Sequence, residues 1–531
     1  MQEPETPQQQ TNSLDNSQEK RYKTVGVVMV ITFLGKVMGL IRDMLMGHKF
    51  ATGVESNAFQ TASQIPRNFF DAVFASAISA SFIPVFNETL EKRGKEEAFR
   101  LSRSFFTLIG LLTLGLSVLG ILFSDQLTTL FAAGFDEETA ALCSRLMKIL
   151  FPTTFFTGVA FSMVGVLQSM GEFNIPAALS VFSNGVIIIY FIFFCDKFGI
   201  YGLAVAYLIG WAMQAIVQIP SLHKLGFRYR FSVWHPGLKK VFTLMLSVMV
   251  STWIHPINQL ISTRFASYID GGVSAMTYAN SLYTMIAGIV VLSMTNVIFP
   301  EMSRLTTNKK VSELRDLIRS SLQSLLFLLL PMTLGLMLLA TPIIQLLYQH
   351  GTWGADSTAI TSQALTWLAL GMVGYGIQNV LVKAFYAEQN GKIPMITGAV
   401  SIVLNIILCY VLSPIMGVAG LALASALSST VSALLLLVPI SKRLPGLFNR
   451  EFWVDVLKMA ICTAVMSVVV WLVYSGLSAA LTYSTLAVAV ELICSVLVGI
   501  VVYFVLARLF RIPEMSQILG MAKKMTRKRG N

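Results

Sequence analysis

Charged side chains are scarce in this chain of 531 residues: Asp, Glu, Lys and Arg together make up 12% of the sequence, whereas 55% of the residues are hydrophobic. A water-soluble fold keeps about a quarter of its residues charged and cannot hide so much apolar surface from water. The mean hydropathy of +0.69 points the same way. The composition therefore excludes a soluble enzyme and predicts a protein whose solvent is lipid.

Cysteine and histidine are also rare, with five residues of each. Neither type shows the paired spacing of a metal or thiol-exchange site, so the cysteines are interpreted as small buried apolar residues. The sequence has no phosphate-cradling glycine motif and no GxSxG motif, and the connections between its apolar runs are short. An enzyme needs an acid or base beside the reacting group, usually on a substantial extramembrane loop. We therefore expect no catalytic residue, no metal and no cofactor.

Long apolar runs are what the chain has instead. Stretches of about 20 residues, enough for a helix to cross a hydrocarbon core ~30 Å thick, recur along nearly the whole sequence. The strands of a β-barrel would instead alternate polar and apolar residues. The predicted fold is an all-α integral membrane protein with about 14 transmembrane helices. The predicted spans lie near 24–50, 55–87, 101–133, 140–169, 175–195, 200–222, 239–268, 273–303, 316–348, 358–388, 393–413, 418–440, 452–476 and 482–510.

The positive charges lie mainly on one side of these spans. Of the 39 Lys and Arg residues, 30 fall before the first span, in the even-to-odd connections, after the last span, or in the adjoining ends of the spans. Cytoplasmic connections carry such an excess, so both termini should be cytoplasmic. The formal charge of +12 is spread over these short segments, which argues against a nucleic-acid partner. The apolar run that starts near Val25 exceeds a signal-peptide core, so we expect no cleavable signal.

Two sequence echoes indicate an internal repeat. Residues 175–206 resemble residues 393–424 at a constant offset of 218, and residues 82–104 resemble residues 298–320 at an offset near 216. Two six-helix halves that run in the same direction should be related by an axis along the membrane normal, with a cavity between them, as in transporters. The predicted organisation is a disordered polar tail at 1–20, an N-lobe at 21–225, a C-lobe at 238–444, helices 13 and 14 at 451–512 and a basic cytoplasmic tail at 513–531.

Ionisable residues also fall inside the predicted spans, where a charge costs several kcal/mol unless it faces water or a partner. They are Lys36, Arg42 and Asp43 in the first span, Arg67 and Asp71 in the second, and Arg264 in the seventh. Their positive excess suits an anionic substrate, phosphate above all. Arg67 and Asp71 are four residues apart and could instead neutralise each other. Gly35 and Gly39, also four apart, are interpreted as helix-packing positions.

The first helix ends in Gly35-Lys-Val-Met-Gly-Leu-Ile-Arg42-Asp43, and Asn57-Ala-Phe59, Pro66 and Ser81-Phe-Ile-Pro84 follow it. At these motifs, and at Tyr278-Ala279 in the eighth span, the chain resembles the MurJ (MviN-type) lipid II flippases of the MOP transporter superfamily. The resemblance covers all the predicted spans. It implies that the undecaprenyl-pyrophosphate-linked peptidoglycan precursor moves from the inner to the outer leaflet of a bacterial inner membrane by alternating access. Arginines of the central cavity would hold the pyrophosphate, and the last two helices would form a groove for the lipid tail.

The resemblance also implies partners, and together with the charges inside the spans it suggests site residues. The expected partners are lipid II and membrane lipids, with cell-wall synthesis proteins as further candidates. The candidate substrate-binding residues are Lys36, Arg42, Asp43, Arg67, Arg264, Asn57 and Asn280.

The chain departs from the family pattern at several positions. The second-helix cavity arginine of the family falls on Phe70, the acidic residue before Ala-Phe is Asn57, and the eighth-helix charge after Tyr-Ala is missing at Ser281. We hypothesise that Arg67 supplies the charge absent at Phe70, and that Arg264 supplies the one absent at Ser281.

A sodium site found in some relatives, with acids in the seventh and eleventh helices, is also altered. The matching positions are Ser262 and Cys409, and only Asn405 is retained. This pattern argues against sodium coupling.

Other functions stay open at this point. A cationic-drug exporter of the same superfamily would favour acidic cavity residues, and the basic bias argues against it. The same bias does not separate lipid II from another polyprenyl-pyrophosphate-linked oligosaccharide, the cargo of a polysaccharide exporter. A membrane glycosyltransferase is disfavoured because the connections are short.

Overall fold

The structure is a computed structural model that describes residues 7–67, 72–252, 254–482 and 484–515, and within these ranges the chain is helical with no strand. The helices are α1 (Pro7–Phe50), α2 (Val54–Gln64), α3 (Ala72–Arg93), α4 (Lys95–Leu122), α5 (Ser124–Phe131), α6 (Glu137–Leu150), α7 (Thr153–Ser169), α8 (Asn174–Phe193), α9 (Cys195–Ile216), α10 (Ile219–Lys224), α11 (Gly237–Thr252), α12 (Ile254–Ala266), α13 (Gly272–Thr307), α14 (Val311–Leu338), α15 (Ala340–Tyr348), α16 (Ala355–Leu370), α17 (Met372–Ala387), α18 (Lys392–Met416), α19 (Val418–Arg443), α20 (Arg450–Ala480) and α21 (Thr485–Leu509).

The predicted all-helical class is confirmed for the described residues. In the part of the chain that the structure describes, ten helical segments are long and apolar enough to cross a membrane, and the pair α16 and α17, bent by 45°, makes an eleventh. The protein is therefore a multi-pass helical membrane protein. The predicted count of 14 is not reproduced, because the spans near 24–50, 55–87 and 239–268 are not among these segments. The first of them carries Lys36, Arg42 and Asp43, and the other two include residues outside the described ranges, 68–71 and 253.

Helix α1 begins well before the predicted first span. Its backbone is helical from Pro7, through residues that the sequence analysis assigned to a disordered tail. No proline or glycine follows Pro7 before Gly26, so nothing in this stretch would end a helix. Of the basic tail predicted at 513–531, residues 516–531 lie outside the described residues.

The chain divides into two compact units. Unit 1 comprises Met1–Met46 and Ala58–Leu260, and unit 2 comprises Gly47–Asn57 and Ile261–Asn531. The predicted lobe boundaries stay a prediction. The core of unit 1 is rich in aromatic residues from α3 and α4, where the rings of Phe82 and Phe105 stack with centroids 4.5 Å apart.

The same uncommon backbone conformation recurs at the offset of the predicted repeat. Gly199 has φ 53° and ψ −146°, and Gly417, which is 218 residues later, has φ 58° and ψ −132°. A positive φ of this kind is costly for residues with a Cβ, so glycine is required at both positions. Each glycine lies where one helix turns into the next within its own unit, at the start of the repeated Gly-x-x-Gly-Leu-Ala sequence.

A repeated arginine gives a second structural echo. In unit 1 the Arg103 Nε donates to the carbonyl oxygen of Arg228 at 2.9 Å, and in unit 2 the Arg319 Nε donates to that of Leu447 at 2.9 Å. Both arginines belong to the sequence echo at offset 216, and both bind the connection that follows the sixth predicted span of their own half. We refer to these bonds as the arginine clamps. They are what a tandem repeat predicts.

Candidate substrate-binding site

Arg42 is held by polar partners from two helices of unit 1. Its Nε and Nη2 donate to Asp43 Oδ1 at 3.0 and 2.7 Å, and its Nη1 donates to Asn184 Oδ1 at 3.0 Å. The side chains of Arg42 and Asp43 are only 13% and 14% exposed. Charge-assisted bonds of this length are the strong ones, so the guanidinium has a defined position.

Asn184 ties this arrangement to the backbone of α1. Its Nδ2 donates to the carbonyl oxygen of Gly35 at 3.2 Å. A Cβ added at Gly35 would lie 2.1 Å from the Ser180 Oγ, so glycine is what permits α1 and α8 to approach. This supports the interpretation of Gly35 as a helix-packing position, and the close approach is what brings Asn184 within reach of Arg42.

An aromatic group covers one side of the arginine. The Arg42 guanidinium carbon lies 5.8 Å from the centre of the Tyr207 ring, a distance at which a cation is attracted to the ring face. Tyr207 itself stacks on Trp211 at 5.6 Å and meets Phe59 edge-on at 4.9 Å. The ring is buried and therefore fixed.

Asn184 and Tyr207 were not among the predicted site residues. Asn184 carried a signal that could have found it, since it is a polar amide in the middle of the apolar α8. Such residues within spans are costly and face a partner. Tyr207 carried no comparable signal, because a tyrosine in an apolar helix is ordinary.

The remaining predicted cations of unit 1 are placed less tightly. Lys36 lies on the same helix as Arg42 and is exposed, and Arg67 is partly buried in the π-helical turn that follows α2. The side chains of Phe70 and Asp71 lie outside the described residues. The hypothesis that Arg67 replaces a charge at Phe70 therefore stays a prediction, and so does the alternative pairing with Asp71.

In unit 2, Asn57 has a hydrogen-bonding role at a helix start. Its Oδ1 accepts from the backbone N–H of Ser274 at 2.9 Å, and its Nδ2 donates to the carbonyl oxygen of Thr52 at 3.1 Å. Ser274 lies in the first turn of α13, where backbone N–H groups lack helical acceptors, so Asn57 caps that helix from a distance. Asn57 is buried with both ends of its amide engaged. These contacts describe a structural role, and a substrate role for Asn57 stays a prediction.

Arg264 and Asn280 are partly buried in α12 and α13 of the same unit. The carbonyl oxygen of Arg264 accepts from the Ser267 hydroxyl at 2.7 Å, and that of Asn280 accepts from the Thr284 hydroxyl at 2.7 Å. The structure thus places both residues on helices of unit 2, and their proposed role in substrate binding stays a prediction.

The three positions predicted to correspond to a sodium site do come together in unit 2. Asn405 Nδ2 donates to the Ser262 Oγ at 3.4 Å, and its Oδ1 accepts from the Ser428 Oγ at 3.2 Å and from the Cys409 Sγ at 3.8 Å. The four side chains form a neutral network without a carboxylate. Among the described residues, no cluster of three or more His, Cys, Asp or Glu could hold a metal ion.

The sequence profile of one protein family, described as "Lipid II flippase MurJ", matches residues 46–510. The chain belongs to this family. The match begins after Lys36, Arg42 and Asp43, so it leaves the roles predicted for these three residues untested.

Individual relatives agree with the family match over most of the chain. A "Probable lipid II flippase MurJ" of Rhizobium meliloti (strain 1021) is 28% identical and covers 92% of this chain and 93% of its own length. The "Lipid II flippase MurJ" of Burkholderia cenocepacia is 26% identical over 80% of this chain and 84% of its own.

Solved structures show the same fold. The structure titled "Lipid II flippase MurJ, inward closed conformation" aligns with a TM-score of 0.79 and 26% identity, and it covers 91% of this chain and 98% of its own. An inward-facing multidrug resistance MATE family transporter of the MOP superfamily aligns with a TM-score of 0.68 at 17% identity, over 79% of this chain and 98% of its own. The second likeness is one of fold alone.

Proposed function

We propose that this protein moves lipid II from the inner to the outer leaflet of a bacterial inner membrane by alternating access. The family match across nearly the whole chain supports the proposal. The observation that carries it is the largely buried Arg42 guanidinium, held by Asp43 and Asn184 within unit 1. A cation kept at such a place in a membrane protein is suited to binding an anionic group.

The pyrophosphate of lipid II is the part of the substrate that such a site would recognise. A guanidinium is planar and stays charged, and it can bind phosphate oxygens through two parallel N–H donors. Lys36, on the same helix and exposed, adds a second positive charge. Asn184 and Tyr207 orient the guanidinium, and the apolar α20 and α21 form the groove proposed for the lipid tail.

The proposed topology has 14 spans with both termini in the cytoplasm. It predicts that a single cysteine at Lys95 is shielded from an impermeant thiol reagent in intact cells, because the basic connection before α4 is cytoplasmic. A cysteine at Glu137, in an acidic connection, should react. Labelling at position 95 in intact cells, with position 137 protected, would reverse the orientation.

Complementation tests the proposal directly. In bacteria depleted of their own lipid II flippase, the wild-type gene should restore growth, while Arg42→Ala should abolish rescue at equal membrane abundance. Arg42→Lys should keep partial function, because the charge remains while the bidentate geometry is lost. Arg145→Ala is the matched control, since Arg145 is an exposed arginine near the end of a span and should be dispensable. Full rescue by Arg42→Ala would remove Arg42 from the substrate site.

A second measurement identifies the cargo. Lipid II that reaches the outer leaflet becomes accessible to a lipid II-cleaving enzyme added outside the cells. Wild-type protein should restore this accessibility in depleted cells within the same period as growth. Failure of the abundant wild-type protein to do so would favour another polyprenyl-pyrophosphate-linked glycan as its cargo.

A further inference from the structure

A non-helical segment, Phe227–His235, lies along the beginning of α4 in unit 1, and we call it the strap. The bonds that fix it join Arg103 Nε to the Arg228 carbonyl oxygen at 2.9 Å, the Thr107 and Tyr229 hydroxyls at 3.0 Å, and the Ser104 and Ser232 hydroxyls at 2.8 Å. The strap is therefore attached to the early turns of α4 rather than loose.

A groove of about 360 Å³ opens beside the strap, between α4 and α7. Phe106, Gly110 and Leu114 line it from α4, and Phe155 lines it from α7. From Phe106 to Leu114 the groove follows roughly 12 Å of helix. Its walls are almost wholly hydrocarbon, so it offers an apolar ligand a continuous contact surface.

The strap gives this groove a positively charged rim. Phe227, Tyr229 and Phe231 line the groove, and the alternate residues Arg228 and Arg230 are exposed. Aromatic residues are enriched at membrane interfaces, and basic residues there attract anionic headgroups. The sequence and position of the strap thus match the surface of an anionic membrane.

The repeat indicates that the arginines of the strap are not needed to hold the connection in place. In unit 2 the clamp from Arg319 holds the equivalent connection, whose residues 444–449 read Leu-Pro-Gly-Leu-Phe-Asn and contain no arginine. Both clamps use a backbone carbonyl as acceptor. The side chains of Arg228 and Arg230 are therefore available for another task.

The repeat also shows what covers the corresponding face in unit 2. Leu111 lies on the groove, and at the offset of 216 its counterpart is Phe327. The Tyr503 hydroxyl of α21 donates to the carbonyl oxygen of Phe327 at 2.7 Å, and the two rings pack 5.2 Å apart. An apolar helix thus fills this face of α14, whereas within the described part of unit 1 the face of α4 is open.

We propose that the groove and the strap bind one anionic glycerophospholipid, with an acyl chain along α4 and α7 and the headgroup phosphate at Arg228 and Arg230. A phosphate oxygen pair fits the two-donor edge of a guanidinium. This site lies apart from Arg42 and its partners and does not depend on the proposed transport function.

The test uses the full-length protein in detergent, with phosphatidylglycerol and phosphatidylcholine that carry the same oleoyl chains. Native mass spectrometry measures how much of each lipid stays bound. The wild-type protein should retain phosphatidylglycerol in preference. The double variant Arg228→Gln with Arg230→Gln should weaken that retention roughly thirtyfold, since each basic residue near a membrane surface contributes about one kcal/mol.

Two further variants distinguish the effect of the positive charges from that of the shape of the groove. Lys442→Gln with Arg450→Gln removes two positive charges, one on either side of the equivalent connection of unit 2, and should leave lipid retention unchanged. Gly110→Leu should reduce retention of both lipids, because it fills the groove. It should still fold, since an added Cβ at Gly110 would lie 3.8 Å from the Phe155 ring, an ordinary contact.

The proposal is overturned if the wild-type protein retains both lipids equally, or if the control pair lowers retention as much as the strap pair. It is also overturned if Gly110→Leu retains both lipids as the wild type does. A photoreactive residue placed at Leu114 in cells gives an independent result. Adducts with lipid support the proposal, whereas an adduct with a protein of discrete mass would show that a partner helix occupies the groove.

Discussion

Replacing Asn184 tests whether the position of the Arg42 guanidinium matters for function. Asn184 makes two bonds to α1: it accepts from Arg42 Nη1 at 3.0 Å, and it donates to the carbonyl oxygen of Gly35 at 3.2 Å. Asn184→Ala removes both bonds and leaves Asp43 to hold the arginine. We therefore expect a protein that folds and inserts but binds its anionic substrate poorly.

The size of the effect follows from the bonds lost. A hydrogen bond to a charged group contributes about 1.5–3 kcal/mol, which corresponds to roughly a ten- to hundredfold change in affinity. Because Asp43 still orients one edge of the guanidinium, the lower half of this range is expected. Asn184→Asp should be worse, because the second carboxylate beside Arg42 opposes its positive charge and an ionised carboxylate cannot donate to the Gly35 carbonyl oxygen.

The assay is rescue of flippase-depleted bacteria across a range of expression levels, with membrane abundance measured in parallel. Ser183→Ala is the matched control, because the Ser183 hydroxyl bonds only to backbone carbonyls of its own helix, at Leu179 and Ser180. Rescue should fall in the order wild type and Ser183→Ala, then Asn184→Ala, then Asn184→Asp. Equal rescue by all four at equal abundance would refute the idea that the polar partners of Arg42 set its function.

Two further predictions concern other arginines. Arg103→Ala or Arg319→Ala should each lower the thermal stability of the protein in detergent, by about 1–3 kcal/mol for a lost charge-assisted bond. Arg100→Ala loses only an exposed ion pair and should change the stability little. Equal effects of all three variants would contradict the arginine clamps. If Arg67 holds phosphate, Arg67→Ala with Asp71→Ala should stay inactive in the rescue assay; recovery of activity in that double variant would indicate that the two residues form a private salt bridge.

The sequence predicted the helical class well, because this class depends on local patterns. An apolar run directly indicates a segment buried in lipid. A repeat shows in the sequence wherever the backbone conformation allows only one residue type. Gly199 and Gly417 illustrate the second case, since a positive φ forces glycine into the sequence at the same offset. A single sequence can show features that depend on local chemistry in this way.

The geometry of the candidate site was harder to predict. Arg42 was identified from its cost in a membrane, but its partner Asn184 is 142 residues away, and no local pattern links the two. A tertiary contact decides this feature, and a hydropathy pattern does not record it.

The candidate cations lie in the first, second and seventh predicted spans, and the neighbours of Arg42 offset the cost of its charge. Asp43 accepts from Nε and Nη2, and Asn184 accepts from Nη1, so a phosphate that approaches the guanidinium competes with these partners for its N–H donors. Exchange against a carboxylate of single charge favours a ligand with more than one negative charge, because the attraction scales with the product of the charges. A zwitterionic headgroup or a simple carboxylate offers no such gain over Asp43. We therefore expect the ion pair of Arg42 with Asp43 to let a pyrophosphate bind and to exclude the headgroups of the surrounding lipids.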